Sequence, residues 1–95
     1  MVEFATERAR LRCVFKGRMD TAEAMRLENQ VDISVRQAKK PVAFDLSGVD
    51  YVSSSFIRIC VMAVQAVGKE NFAIIGAPVA VAKIFNVAGL EEFLR

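Results

Sequence analysis

A chain of 95 residues, 54% hydrophobic and 25% charged, can bury one core and is too apolar to be a disordered segment. Its net charge of +2 comes with acids interleaved among the basic residues, so the charges read as solvated faces rather than a nucleic-acid surface; one Tyr, no Trp and no glycine-rich loop agree. The lack of histidine removes His-based triads, Cys–His pairs and most zinc sites.

In chain order, Glu3-Phe4 fits a short strand. It would pair with a second in which Ala9, Leu11, Cys13 and Phe15 alternate with Arg8, Arg10, Arg12 and Val14, a period of two with one buried face. Lys16-Gly17-Arg18 reads as a turn. Asp20-Thr21-Ala22-Glu23 fits a capping box, with Glu23 reaching back to the N-cap, and opens an amphipathic helix over residues 21–38 with Ala24, Leu27, Val31, Val35 and Ala38 on one stripe. Pro41 ends it, and Val42-Ala43-Phe44-Asp45-Leu46 follows as a central strand.

A polar loop, Ser47 to Tyr51, leads to three serines that open a second helix, Ser54 to Val67, apolar on nearly every side. Arg58, Met62 and Gln65 form its solvent line, and the run from Phe56 to Val67, interrupted by Arg58 and Gln65, is too short to span a bilayer. Gly68 suits the helix end. Phe72-Ala73-Ile74-Ile75 lacks polar alternation, as a parallel strand covered on its face should. A third helix runs from Pro78 to Val87, closed by Gly89, and Leu90 to Leu94 reads as a short strand or a helical turn. Residues 1–95 thus form a single α/β domain with parallel crossovers. Cys13 and Cys60 sit in apolar patterns and are expected as reduced core thiols, which suits a cytoplasmic location, as does the lack of a signal peptide at Met1-Val2-Glu3-Phe4.

The chemistry concentrates at Ser53-Ser54-Ser55. A serine nucleophile needs a base, and this cluster has only Asp45, Asp50 or a lysine to draw on. Gly-x-Ser-x-Gly, Ser-x-x-Lys and phosphate-loop motifs are all absent, so no enzymatic role and no cofactor or metal are expected. Serines at a helix start are most often caps. Three in a row exceed what one cap needs, and Arg58 follows Ser54 by four residues on the same face, so a phosphate on Ser54 would meet both the helix N-terminus and Arg58.

The segment Asp45-Leu46-Ser47-Gly48-Val49-Asp50-Tyr51-Val52-Ser53-Ser54-Ser55-Phe56 resembles the signature of the STAS domain family, the sulfate-transporter and anti-sigma factor antagonist domains. The likeness extends to Val14-Phe15-Lys16-Gly17-Arg18-Met19-Asp20, to Phe72-Ala73-Ile74-Ile75-Gly76-Ala77, to Val81-Ala82-Lys83-Ile84-Phe85 and to Val87-Ala88-Gly89-Leu90. It implies a STAS-like sandwich: a mixed sheet of four to five strands, helices mainly on one face, and a final helix missing or shortened because the sequence stops at Arg95. It also implies a bacterial, non-enzymatic regulatory module that binds an anti-sigma factor acting as a serine kinase, with Ser54 in the phospho-acceptor position and Ser55 and Ser53 as lesser candidates.

Ser53, Ser55, Phe56, Arg58, Met62 and Asp20 are the partner-binding residues this implies. Ser53 and Phe56 stand where the family has Asp and Gly, and Phe56 is expected at the contact surface. The alternative is a constitutive STAS interaction subunit, for example of a lipid-transport ABC complex or a signalling assembly. Neither reading calls for nucleic acid or membrane insertion, and the apolar second helix is able to support a homodimer.

Overall fold

The computed structural model describes residues 1–95. β1 (Val2–Thr6) and β2 (Leu11–Met19) pair antiparallel, with Val2 opposite Phe15 and Thr6 opposite Leu11. β2 is parallel to β3 (Val42–Val52), and β3 is parallel to β4 (Phe72–Ile75), giving a mixed four-stranded sheet in the order β1-β2-β3-β4. α1 (Thr21–Ala38) connects β2 to β3, α2 (Ser54–Val67) leads from β3 towards β4, and α3 (Val79–Val87) follows β4.

The registers sort the strand residues into two faces. Leu11, Val42 and Phe72 lie abreast, then Cys13, Phe44 and Ile74; with Phe15 and Leu46 they are buried. The helices cover this face with Ala24, Leu27, Val31 and Val35 from α1, Phe56, Ile59, Cys60 and Ala63 from α2, and Val81 and Phe85 from α3. Arg12, Val14, Asp45 and Ile75 point the other way and remain partly exposed, so the layers are sheet and helices with one open sheet face.

Edge-to-face contacts run through the core. Phe93 packs on Phe72 (5.5 Å between centroids), Phe72 on Phe44 (5.0 Å), Phe44 on Phe15 (4.9 Å) and Phe15 on Phe56 (5.0 Å). This arrangement suits the ring quadrupoles.

Two expected connections are strand instead. Lys16-Gly17-Arg18 and Ser47–Tyr51 continue β2 and β3, pairing Lys16 with Gly48, Gly17 with Val49 and Arg18 with Tyr51. Their polar composition mimics a turn because this two-stranded ribbon runs beyond β1 and β4 into solvent. Its ladder shifts register between Val14 and Lys16 and again between Gly17, whose φ of 95° is open to glycine, and Arg18. Ala9 is exposed and precedes β2 rather than belonging to it.

The helix ends follow their caps. Asp20 accepts a hydrogen bond from the Glu23 N–H, the expected half of a capping box. Glu23 does not reach back; its carboxylate pairs with Arg26 and with the Met1 amino group, a stronger charge-assisted choice. Pro78 stands just outside α3 rather than in its first turn. Gly89, at φ 80°, lets the Leu90 N–H return to the Phe85 carbonyl and close that helix. Both readings of Leu90–Leu94 occur in succession: Glu91–Phe93 is a 3-10 turn, and Leu94 bridges Ile74 in parallel. No α-helix follows α3.

Candidate functional site

β2 and β3 end side by side, and each feeds a helix. Met19 precedes the α1 cap Asp20, Val52 precedes the α2 cap Ser53, and the Ser53 N–H donates to the Met19 carbonyl at 2.8 Å. The ribbon therefore holds the amino ends of α1 and α2 together, which brings Asp20 to the serine cluster. At its tip the Arg18 guanidinium lies 4.1 Å over the Tyr51 ring.

The three serines have different environments. Ser53 is 6% exposed, and its hydroxyl accepts from the Phe56 N–H at 3.3 Å, so it is the cap. Ser55 is half-buried. Ser54 is exposed at the first position of α2, and its hydroxyl has no partner within the chain.

Phe56, expected at the surface, is 0% exposed: its ring fills the core against Phe15, and a smaller residue there would leave a void. It therefore leaves the approach to Ser54 open. The crest of α2 that faces solvent carries Ser54, Arg58, Val61 and Gln65. Met62, expected on that line, turns instead into a cleft of about 320 Å3 with Met25, Glu28, Asn29 and Asp32 of α1. Of the residues named from sequence, Ser54, Ser55, Arg58 and Asp20 share the accessible end of the molecule; Ser53 and Phe56 support it from inside, and Met62 lies to one side.

The Asp45-Leu46-Ser47 part of the signature is a structural knot. Asp45 Oδ1 accepts from the Ser47 N–H at 3.0 Å and from its hydroxyl at 2.7 Å, and Oδ2 accepts from Arg12 at 3.0 Å. Burial would raise the Asp45 pKa, but these hydrogen bonds and the Arg12 charge outweigh it and hold the carboxyl below its usual range. A Cβ on Gly76 would come within 3.1 Å of Ser47 Cβ and 3.3 Å of Asp45 Oδ1 and would press on the knot, and the Gly76 φ of 70° is itself open to glycine and strained for other residues. Burial pushes the Cys13 thiol up to about 12 and the Cys60 thiol higher still, which leaves both as neutral core groups. No three His, Cys, Asp or Glu side chains gather as metal ligands, and no helix is long and apolar enough to cross a membrane.

One part of the site was missed in the sequence. α2 and α3 leave a groove of about 430 Å3 beside Ser54, lined also by Ile57, Lys83, Ile84, Val87 and Ala88. The available signal was the pattern Val79, Lys83, Val87 on a short helix, an exposed face at spacing four.

The fold matches solved anti-sigma factor antagonists. The chain superposes on unphosphorylated SpoIIAA with a TM-score of 0.84 at 11% identity, covering 100% of this chain and 86% of that one. Phosphorylated SpoIIAA from Bacillus gives 0.74 at 10% identity, covering 100% and 89%. An antagonist from Mycobacterium paratuberculosis gives 0.85 at 21% identity, covering 99% and 81%. No curated protein matches the chain in sequence. The family model described as "Mlab, STAS domain" matches residues 2–95, and the chain belongs to the STAS domain family.

Proposed function

We propose that this chain is a non-enzymatic, cytoplasmic binding module of bacterial signalling. It captures a protein partner, of the anti-sigma factor and serine kinase type, with the surface around Ser54, and it releases that partner when Ser54 is phosphorylated. One observation carries the reading: of three adjacent serines, only Ser54 is both exposed and without a hydrogen-bond partner, at the accessible amino end of a helix. A phosphate there is stabilised by the helix dipole and by Arg58 one turn on, while it places up to about two negative charges in the middle of a contact surface. The similar folds include SpoIIAA in both unphosphorylated and phosphorylated forms, which supports the same reading.

The test is mass measurement after incubation with ATP and a serine kinase of the anti-sigma factor type. The expected result is one added phosphate, mapped to Ser54 and abolished by Ser54→Ala. Phosphate on none of the three serines, or on Ser53 alone, contradicts the switch.

A second reading is favoured by the description of the matching family, Mlab. In it the same surface binds without modification, as a subunit of a lipid-transport ABC complex. Copurification with a transporter ATPase, unchanged by Ser54→Asp, selects this reading over the first.

A further inference from the structure

The groove between α2 and α3 is almost wholly apolar in its walls, yet it holds two polar groups, Ser54 at the head of α2 and Lys83 on α3. α3 also carries the two most exposed large hydrophobic residues of the molecule, Val79 at 76% and Val87 at 91%, one turn to either side of Lys83. Val61, one turn beyond Ile57 on α2, extends the apolar surface. Lys83 and Arg58 make no ion pair, and no carboxylate lines the groove.

We propose that this groove receives an amphipathic helix of a protein partner, apolar along the face that meets Ile57, Ile84 and Val87, with a carboxylate placed to meet Lys83 beside Ser54. The inference rests on the reading that the surface around Ser54 binds a protein. Two helices flanking a furrow are a seat for the ridge of a third, which presents apolar residues at spacings of three and four. Covering Lys83 with purely apolar side chains would strip an ammonium of water without return, so an occupant bearing an acid is favoured. A second copy of the chain is disfavoured by the same charges. A two-fold contact through the groove would set Lys83 and Arg58 against their own copies with no lining acid between them. The arrangement also gives phosphorylation a physical route: a phosphate on Ser54 would engage Lys83 and repel the partner's carboxylate from the same cation.

The experiment titrates isotope-labelled protein with designed amphipathic peptides of about 15 residues, roughly four turns, identical except for Glu or Lys at the position facing Lys83. The Glu peptide should shift the amides of Ser54, Ile57, Ile84 and Val87 and bind about tenfold tighter than the Lys peptide. Lys83→Glu, a change at an exposed position, should keep the core amide spectrum and invert the preference. Equal binding of the two peptides, binding of neither, or shifts confined to other surfaces overturns the proposal. So do groove shifts that follow protein concentration alone, which mean a second copy, or that follow added phosphatidylglycerol vesicles without peptide, which mean a lipid surface. Failure of the peptides alongside partner capture that is still lost on Ser54→Asp removes the groove and leaves the switch. Normal peptide preference with no effect of Ser54→Asp on partner capture does the reverse.

Discussion

Ser53 and Ser54 are adjacent in sequence and opposite in role, and their stabilities on substitution should separate them. Ser53 is buried and caps α2, so Ser53→Ala should cost about 1 kcal/mol in denaturant unfolding. Ser54 is exposed with no partner, so Ser54→Ala should stay within about 0.5 kcal/mol of the parent. Phe56→Ala should cost about 3–5 kcal/mol, because it opens a void where Phe56 meets Phe15. A larger loss at Ser54 than at Ser53 would reverse the assignment. The two thiols offer a separate check. Both are buried and neutral, so neither Cys13 nor Cys60 should react with a thiol reagent until the protein is unfolded, when both should label together. Labelling of either in native buffer contradicts their placement in the core.

At the scale of elements, the knot at Asp45 ties β3 to β2 through Arg12 and to its own strand through Ser47. The folded Asp45 carboxyl is held below its ordinary pKa. Its contribution is therefore fully present above about pH 4, the unfolded range, and is lost as pH falls through the lower folded value. Asp45→Asn should lower stability at pH 7 by about 1–2 kcal/mol and should flatten part of the fall in stability below pH 4. Parallel pH curves for the two proteins would contradict the account. Glu23, lowered to about 2 by its hydrogen bonds to Arg26 and the Met1 amine, adds to the same acid loss in both proteins and drops out of the difference.

The elements were unequally legible in sequence. The bounds of α1 could be read because Asp20 and the stripe Ala24, Leu27, Val31 and Val35 are local signals. The outer halves of β2 and β3 could not, because Lys16-Gly17-Arg18 and Ser47–Tyr51 pair with each other across the fold, and long-range pairing leaves no local mark in polar segments. The inward turn of Phe56 was hidden for a related reason: whether a first-turn side chain meets the core depends on where Phe15 of β2 stands. The Asp45–Arg12 contact joins residues 33 apart and had no sequence signal.

At the scale of the whole molecule, the sheet and three helices form one layer pair whose aromatic contacts reach from Phe93 to Phe56 and so anchor the base of the site in the core. The rigid ribbon then fixes where Ser53 and Ser54 stand. A charge added at Ser54 changes the surface without disturbing what holds it, which is what a reversible binding module requires. The most direct measurement is the affinity of the copurifying partner for the chain with and without phosphate on Ser54, by calorimetry at fixed salt. The account predicts that phosphate weakens binding about tenfold to a hundredfold, roughly 1.4–2.8 kcal/mol, while the isolated protein stays folded and melts no lower than before. Equal affinity of the two forms would contradict it.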